Sequence, residues 1–377
     1  MGFDKQPNEA QNKGEQGEKV HKRRKRYSGT HPKTYAEKYK EHNPEKYADT
    51  VAKVIAKGST PAGMHISIMV NEVLDVLKIK PGEKGLDATL GYGGHSRKML
   101  EQLEGRGHLY SLDVDPIEIV KTRKRLNDAG FGDEIFTAIS ENFANIDKVA
   151  ADYGPFNFLM ADLGVSSMQI DNPERGFSYK LDGILDLRLN PEKGIAAWER
   201  LKQMSREEII GMLEENSDEP YASRIANNLM NKRKKGMEVK TTSDLRLAIE
   251  QALGIELVNG RLKSSLKEVD ALSESDKKEL IKKTCQRVFQ AIRIDVNSEF
   301  EVLESFLEKL PDVMEKGGRV AILTFHSGED RLVKRAFKDY ARAGIFSQVS
   351  TDVIRPSAAE CRANGRARST KLRWAIK

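Results

Sequence analysis

Short apolar runs and amphipathic stretches alternate along the middle of the chain. Four runs have the length of buried strands, and they follow one another at roughly 25-residue spacing with helical patterns between them. These runs are residues 85–91, 108–115, 134–140 and 156–164. Regular alternation of strand and helix is typical of a doubly wound, mostly parallel sheet with helices on both faces. The pattern therefore predicts an α/β fold.

The alternation stops near residue 171 and resumes after residue 285. The segment between has helical periodicity, and Ser205 and Glu208 have the spacing of a capping box at a helix start. A helix over 288–310 and a fifth strand over 319–325 then continue the α/β pattern. We predict four segments: a basic extension (1–64), a first core segment with the cofactor site (65–171), a helical insertion (172–285) and a second core segment with a basic C-terminus (286–377).

Positive charge collects at the two ends of the chain. The 377 residues include 63 Lys and Arg against 57 Asp and Glu, a formal net charge of +6. The first 60 residues hold 14 basic and 8 acidic residues, and residues 355–377 hold seven basic and one acidic. Clustered Lys and Arg favour RNA, because binding releases counterions from phosphates. The segment 21–26 (HKRRKR) with Tyr35, Tyr39 and Tyr47 fits an RNA-binding arm, but a solvated tail has the same composition.

Composition also restricts the location and the class of site. Cys285 and Cys361 are too few for a disulfide framework or a thiolate zinc site. No apolar run approaches the roughly 18 residues that span a bilayer, so we expect a cytoplasmic protein without membrane contact. His326, Glu329 and Asp330 lack a second nitrogen ligand, and we predict no metal.

A glycine-rich turn follows the first predicted strand, from Asp87 to Ser96 (DATLGYGGHS). Gly93 and Gly94 would let a ligand approach the backbone closely. Asp113 ends the second strand, where a carboxylate can accept hydrogen bonds from both ribose hydroxyls of an adenosine. NAD and S-adenosylmethionine share that feature, but Ser96 replaces the third glycine of the dinucleotide fingerprint and Asp87 would repel a phosphate. The residues therefore favour S-adenosylmethionine.

Later strands end in further candidates. Phe143 follows the third strand and either packs on an adenine or belongs to the core. Asp162 ends the fourth strand, beside the switch in strand order where the reactive methyl should point. There Asp162, with the backbone of Leu163, can accept an N–H bond from a target amine and turn its lone pair toward the methyl, although cofactor contact alone is the alternative. Phe177 and Tyr179 are candidates for stacking on the target base.

The stretch DLGVSSMQID (162–171), followed by PERGFS (173–178), resembles the ribosomal RNA small-subunit methyltransferase H family, also called MraW. Matching motifs recur along the chain: LDATLGYGGHS, LDVDP, DGILDLRLN, RVFQAIRIDVNSE and GGRVAILTFHSGEDRLVK. The resemblance extends from about residue 65 to residue 377. The chain departs from the usual family pattern at Met168, Leu187, Leu189 and Gly328.

Members of that family use S-adenosylmethionine to methylate the N4 amine of a cytosine in 16S ribosomal RNA. The resemblance implies the same activity and cofactor, the small ribosomal subunit as partner, and a helical insertion that helps to recognise RNA. It implies cofactor contacts at the matching motif positions, which are Gly93, Gly94, His95, Asp113, Phe143, Asp162 and Gln169. Asp162 is then the catalytic candidate. The target nucleotide and the oligomeric state, a homodimer included, stay open.

Two other function classes compete with a methyltransferase. An NAD-dependent oxidoreductase would use the same Rossmann-like core, but Ser96 argues against it. A non-catalytic RNA-binding assembly factor would not need the intact Gly93, Asp113 and Asp162. Beside the core stripe of the helix over 288–310, a polar stripe of Gln290, Arg293 and Asn297 either lines the site or is solvated surface.

Overall fold

The computed structural model describes residues 67–377, and its core is a seven-stranded sheet. Within these residues the strands are β1 (Lys84–Asp87), β2 (His108–Asp113), β3 (Phe136–Ser140), β4 (Phe156–Asp162), β5 (Ile255–Val258), β6 (Arg261–Ser264), β7 (Met314–Thr324), β8 (Gln348–Val349) and β9 (Lys371–Ile376). The order in the sheet is β3-β2-β1-β4-β7-β9-β8. Strands β3, β2, β1, β4 and β7 run parallel, whereas β9 pairs antiparallel with β7 and β8. The predicted doubly wound, mostly parallel α/β fold is confirmed.

Helices cover both faces of the sheet and form a separate group between β4 and β7. In the described part of the chain they are α1 (Val70–Leu77), α2 (Gly94–Leu103), α3 (Pro116–Asp128), α4 (Ile146–Tyr153), α5 (Ser167–Asp171), α6 (Ala197–Gln203), α7 (Arg206–Ser217), α8 (Ala222–Lys234), α9 (Thr242–Ala252), α10 (Lys267–Asp270), α11 (Glu274–Asn297), α12 (Glu299–Val313), α13 (Ser327–Arg342) and α14 (Ala358–Ala363), with 3₁₀ turns at Phe143–Asn145, Pro173–Arg175 and Gly365–Ser369. The predicted capping box is present at the start of α7.

Three apolar clusters result from this arrangement. One contains Phe156 of β4 and Phe306 of α12. A second contains Phe158 of the same strand, because successive side chains of a strand point to opposite faces of the sheet. The third is formed by α6 to α9 with α11 and contains Ile225 and Val288, so the helical group has a core of its own.

The order of the strands reverses between β1 and β4. The chain crosses from β1 to β2 and β3 on one side, then returns to place β4 and β7 on the other. In open parallel sheets, ligands bind at the carboxyl ends of the strands beside such a switch point. Asp87, Asp113 and Asp162 are the last residues of β1, β2 and β4, so all three lie at this edge.

The helix expected over 288–310 is two helices, and that prediction is wrong. Helix α11 ends at Asn297, and Ser298 adopts a left-handed backbone with φ 48° before α12 begins. The Asn297 side chain donates from Nδ2 to the Leu187 carbonyl at 2.8 Å, and its Oδ1 accepts from the Leu189 backbone amide at 2.7 Å. Periodicity missed the break because the apolar stripe continues across it. Helix α11 also runs through residue 285, where we predicted the end of the helical insertion, so that boundary falls inside a helix.

A hairpin inside the helical group was not predicted. Strands β5 and β6 pair antiparallel around Asn259 and Gly260, which have φ values of 50° and 76°. Positive φ at both central residues is the requirement of a type I′ turn, and an Asn-Gly pair between short strands is its usual sequence signal. The signal was therefore present in the sequence.

The basic C-terminus is largely tied into the sheet. The Arg373 guanidinium is buried and donates to Asp330 at 2.7 Å, while Lys371 Nζ donates to the same carboxylate at 2.8 Å. These two charges hold β9 to α13. The basic extension, with its segment 21–26 and its tyrosines, lies outside the described residues. None of the helices within 67–377 is long and apolar enough to cross a membrane.

Gly85 on β1 faces the ring of Phe158 on β4, and a Cβ added there would lie 2.0 Å from Phe158 Cζ. Gly85→Ala should therefore lower the free energy of unfolding by about 1–3 kcal/mol or more, through overpacking. The matched control is Gly365→Ala, since a Cβ at Gly365 would have no neighbour within 4 Å and should change stability by about 0.5 kcal/mol at most. Urea unfolding followed by circular dichroism measures both, and coincident curves would contradict the packing argument.

Candidate active site

The loop after β1 requires glycine for its backbone course. Gly91 and Gly93 have φ values of 48° and 80°, and Gly93 is the N-cap of α2. A Cβ on Gly93 would lie 2.7 Å from the methyl group of Thr122, so α3 packs directly against the loop. Gly94 follows as the first residue of α2. The loop thus presents backbone close to the ends of β1 and β2, as the sequence predicted for a ligand-binding turn.

Asp113 is held beside this loop by two backbone amides. Its Oδ2 accepts from the Gly91 amide at 2.8 Å, and its Oδ1 accepts from the Asp115 amide at 2.9 Å. Each carboxylate oxygen has a second lone pair, so both can still accept a hydroxyl proton. Burial raises the pKa of Asp113 to about 6. The carboxylate is therefore oriented for a diol.

Asp115 supports the site and was not predicted. One of its oxygens accepts from the Ile117 amide at 3.0 Å as the N-cap of α3, and the other accepts from Arg175 Nη1 at 2.6 Å. Gln169 Nε2 also donates to it, at 3.3 Å. An Asp followed by Pro is a common N-cap and first-turn pair, which could have revealed the cap. The contact with Arg175 has no signal in the sequence.

Asp162 combines a buried, unpartnered oxygen with an open side. Its Oδ1 has no hydrogen-bond partner within the described residues, while 31% of the side chain remains exposed. Its backbone amide donates to Thr89 Oγ1 at 2.6 Å, which fixes the end of β4 to the loop after β1. Burial, with the negative charges of Asp87 and Glu329, raises the pKa of Asp162 to about 8. A protonated Asp162 at neutral pH offers both a donor and an acceptor.

His95 lies against Asp162 and is set as an acceptor on that side. Its Nε2 donates to the Ile68 carbonyl at 3.0 Å, which leaves the Nδ1 lone pair 3.6 Å from Asp162 Oδ2. Burial lowers the pKa of His95, so the ring is neutral. Below it, Asp87 is fully buried and accepts from Ser96 Oγ at 2.6 Å; burial raises the pKa of this carboxyl too.

The other predicted residues have more structural contacts than the sequence suggested. Phe143 packs edge-on against Phe306, with 5.3 Å between ring centres, at the rim of a core cluster. Gln169 closes a capping box with Ser166 while it donates to Asp115. These contacts are within the protein, so a cofactor contact at Phe143 or Gln169 stays a prediction. The structure joins His95 to Asp162 and Asp113 to the glycine loop, and it places Gln169 with Asp115.

The stacking candidates and the polar stripe mostly pack within the protein. Phe177 is buried in the helical core, and Tyr179 packs edge-on against Phe289. Arg293 forms a bidentate ion pair with Glu299 at 2.7 and 2.8 Å. The polar stripe is therefore neither bare surface nor open lining, because it fixes α12 and the loop around Leu187.

Three potential metal ligands, Glu299, His326 and Glu329, lie close together. Glu299 already pairs with Arg293, and Glu329 accepts from the Phe325 amide at 2.8 Å. Glu329 Oε1 also lies 3.1 Å from His326 Nε2, so each of the three residues has a partner in the described part of the chain, and the absence of a metal stays a prediction. Gly328 lies beside it, where a Cβ would come within 2.6 Å of the Phe300 ring, so a side chain does not fit there without a shift.

Comparison with known proteins gives a uniform result. Residues 62–377 match the model of the MraW methylase family. The protein named ribosomal RNA small subunit methyltransferase H 1 of Lachnoclostridium phytofermentans is 66% identical over 363 residues, which cover 96% of this chain and 95% of that protein. Its namesake in Agathobacter rectalis is 62% identical, covering 96% and 99%. The ribosomal RNA small subunit methyltransferase H of Fusobacterium nucleatum is 37% identical, covering 82% and 95%.

The Lachnoclostridium protein aligns with a larger share of this chain than the Fusobacterium protein does, and the difference is about the size of the extension before residue 62. The 4% of this chain left unaligned to the Lachnoclostridium protein amounts to about 15 of 377 residues, so the alignment takes in most of the extension. The Fusobacterium protein covers a share of the chain close to that of the family model. A similar extension is therefore present in some relatives.

Asp162→Asn should change how stability depends on pH. The pKa of Asp162 is raised in the folded protein above its ordinary value near 4, so the wild type loses stability as pH rises through that interval. The asparagine variant lacks this loss. Its free energy of unfolding relative to wild type should increase by up to about 1.4 kcal/mol per pH unit between about pH 5 and 7. Urea unfolding across this range measures it, and a difference that stays constant with pH would refute the raised pKa.

Proposed function

The chain belongs to the MraW methylase family, and from that premise we propose that it transfers a methyl group from S-adenosylmethionine to the N4 amine of a cytosine in 16S ribosomal RNA. Membership confirms the resemblance, the enzyme class of RNA methyltransferase and the cofactor that the sequence predicted. The NAD-dependent oxidoreductase and the non-catalytic assembly factor are set aside. The cytosine N4 position rests on the resemblance and on the geometry around Asp162.

The cofactor fits the residues at the strand ends. We assign its ribose hydroxyls to Asp113 and its close backbone contacts to Gly93 and Gly94, with Phe143 beside the adenine. His95 and Gln169 would order the loop and the start of α5. S-adenosylmethionine supplies a methyl group on a sulfonium, which is already a good electrophile and needs positioning more than activation. The buried carboxyl of Asp87 and the partly exposed carboxyl of Asp162 provide negative or polar surroundings for that positive charge.

The unpartnered Oδ1 of Asp162 is the observation that carries the proposal. An exocyclic amine is conjugated with its ring, and an acceptor for one N–H turns its lone pair out of that plane toward the methyl. In the neutral carboxyl, Oδ2–H faces His95 Nδ1, and the buried Oδ1 has no partner among the described residues that would compete for this N–H. As the new N–C bond forms and the sulfonium S–C bond breaks, the amine loses a proton to water. Asp162 therefore orients the acceptor and stays neutral.

The substrate is proposed to be RNA within the small ribosomal subunit. Relatives at 66% and 62% identity bear the name of a small-subunit ribosomal RNA methyltransferase. We propose that the helical insertion (172–285) recognises RNA and that the basic extension (1–64) contacts phosphates, in a cytoplasmic enzyme. The helical group has its own core, and Arg175 joins the loop at Leu189 to Asp115 after β2, which suits a recognition unit held against the sheet.

Asp113→Ala should weaken S-adenosylmethionine binding about tenfold or more, since a hydrogen bond to a charged group contributes about 1.5–3 kcal/mol. Because the ionised carboxylate is the better acceptor, wild-type affinity should fall as pH drops below about 6, and the alanine variant should lack this step. Calorimetry from about pH 5 to 8 measures both. Asp133→Ala, an exposed aspartate on the surface, is the control; an Asp113 variant with unchanged affinity would overturn the assignment.

Ribosomal RNA nucleosides test the reaction itself. Cells without the gene should lack N4-methylated cytidine in 16S ribosomal RNA, and the wild-type gene should restore it, as measured by mass spectrometry. Asp162→Ala removes the oxygen that accepts the amine N–H, so it should restore much less and should remain slow in single turnover even at saturating cofactor. A missing nucleoside other than an N4-methylcytidine would overturn the target, and full recovery of rate at high cofactor would reduce Asp162 to a binding residue.

A further inference from the structure

A pocket of about 160 Å³ lies in the helical group. None of its lining residues belongs to the site at the carboxyl ends of β1, β2 and β4, here called the strand-end site. Helices α6, α7 and α8 and the loop after α8 form its walls. The lining is mostly apolar and includes Trp198, Leu201, Leu229, Met230 and Met237. Met237 is half exposed, so the pocket opens to solvent. A cavity of about 150 Å³ holds a benzene molecule, and a pyrimidine ring is of similar size.

The helix that lines one wall of the pocket carries a run of positive charge at its C-terminal end. Four consecutive basic residues, Lys232 to Lys235, occupy the last turn of α8 and its C-cap, and Arg233 among them lines the pocket. Arg233 has internal partners, since it donates to the carbonyls of Lys202 and Met204 at 2.7 and 2.9 Å. Lys232, Lys234 and Lys235, here called the basic cluster, form no ion pair within residues 67–377. Their charge exceeds what the end of one helix requires.

The acidic residue of the lining does not offset this charge. Glu238 is paired with Lys202 at 2.7 Å. Lys240 Nζ lies 5.0 Å from the centre of the Trp198 ring, which adds another positive group beside an aromatic face. An apolar pocket with an indole, next along the chain to lysines without ion pairs, has the composition of a single-strand nucleic-acid site, in which bases stack and phosphates contact Lys.

We propose that this pocket takes an unstacked nucleobase of the ribosomal RNA substrate, while the basic cluster contacts the adjoining phosphates. The inference rests on the proposed function, because it assumes that RNA is the substrate. An apolar peptide could fill the slot, but it would gain nothing from three unpaired lysines. The bound base differs from the one that is methylated, since the pocket shares no residue with the strand-end site.

Hydrogen bonds connect the pocket to the cofactor edge. The Trp198 amide donates to the Leu185 carbonyl at 3.0 Å. Four residues on, the Leu189 carbonyl accepts from Arg175 Nη2 at 2.9 Å, and Nη1 of the same guanidinium donates to Asp115. A nucleotide held at Trp198 is thus placed in a fixed relation to the end of β2. The pocket would position RNA for the reaction without touching the reacting atoms.

The test measures binding of the full-length protein to two labelled probes by fluorescence anisotropy. One is a single-stranded oligoribonucleotide of roughly 12 nucleotides, and the other has the same backbone with abasic sites. Trp198→Leu keeps the pocket apolar but removes the aromatic face, and should weaken binding of the base-containing probe about tenfold, with little change for the abasic one. Trp374→Leu, at the other tryptophan of the chain, should leave both unchanged.

The basic cluster should behave differently. Replacing Lys232, Lys234 and Lys235 by Gln should weaken both probes and lower the slope of log affinity against log salt by about two, given roughly 0.7 per phosphate on a single strand. Calorimetric binding of S-adenosylmethionine should be unchanged in every variant. If Trp198→Leu does not fold, Met237→Gln replaces it, with Leu257→Gln as the control at another exposed apolar residue.

If a folded pocket variant loses affinity equally for both probes, or for neither, the proposal that the pocket takes a nucleobase is wrong. Loss confined to intact small subunits, with normal binding of the oligoribonucleotide, would mean that a protein fills the slot and would overturn it as well. Failure of the proposed function is distinguishable, because the wild type would then bind the probes as described but leave cytidine unmethylated.

Discussion

The buried ion pair between Asp115 and Arg175 fixes the two parts of the protein that must cooperate. Asp115 starts α3 directly after β2, so its position follows that of Asp113 two residues earlier. Arg175 belongs to the first turns after β4 and also donates to the carbonyls of Arg188 and Leu189. Loss of one partner from a buried pair typically costs about 3–5 kcal/mol, because the remaining charge stays buried. The helical group is thereby held against the cofactor edge of the sheet.

The parallel sheet creates the chemical character of the site at that edge. The carboxyl ends of adjacent parallel strands lie at the same edge of the sheet, so the acids at the ends of β1 and β4 are neighbours there. Asp87 is satisfied by Ser96 and the Thr89 amide, whereas Asp162 keeps an oxygen without a partner among the described residues. Burial with mutual repulsion raises the pKa of Asp162 to about 8. The carboxyl of Asp162 is partly exposed, and its unpartnered oxygen is an acceptor that the described part of the chain does not satisfy and an amine substrate can use.

The break between α11 and α12 links this chemistry to recognition. Asn297 bonds the loop around Leu187, which has a left-handed backbone with φ 61°, and Arg293 pairs with Glu299 across the break. Leu187 maintains this strained conformation because Arg175 and Asn297 both bond its backbone. Trp198 follows the same loop, so the strand-end site and the slot beside the basic cluster are connected through one rigid segment.

The sequence alone determined the α/β class, the strands that carry Asp87, Asp113 and Asp162, and the glycine loop, because strand periodicity and glycine requirements are local properties of the chain. It also determined the family, through motifs that each occupy a few consecutive residues. The tertiary structure decided what depends on distant partners: the break at Ser298, the ion pair of Asp115 with Arg175, and the contact of His95 with Asp162. Hydrogen bonds between residues 60 or more positions apart leave no periodic trace, and a pKa reflects burial that only the packed fold creates.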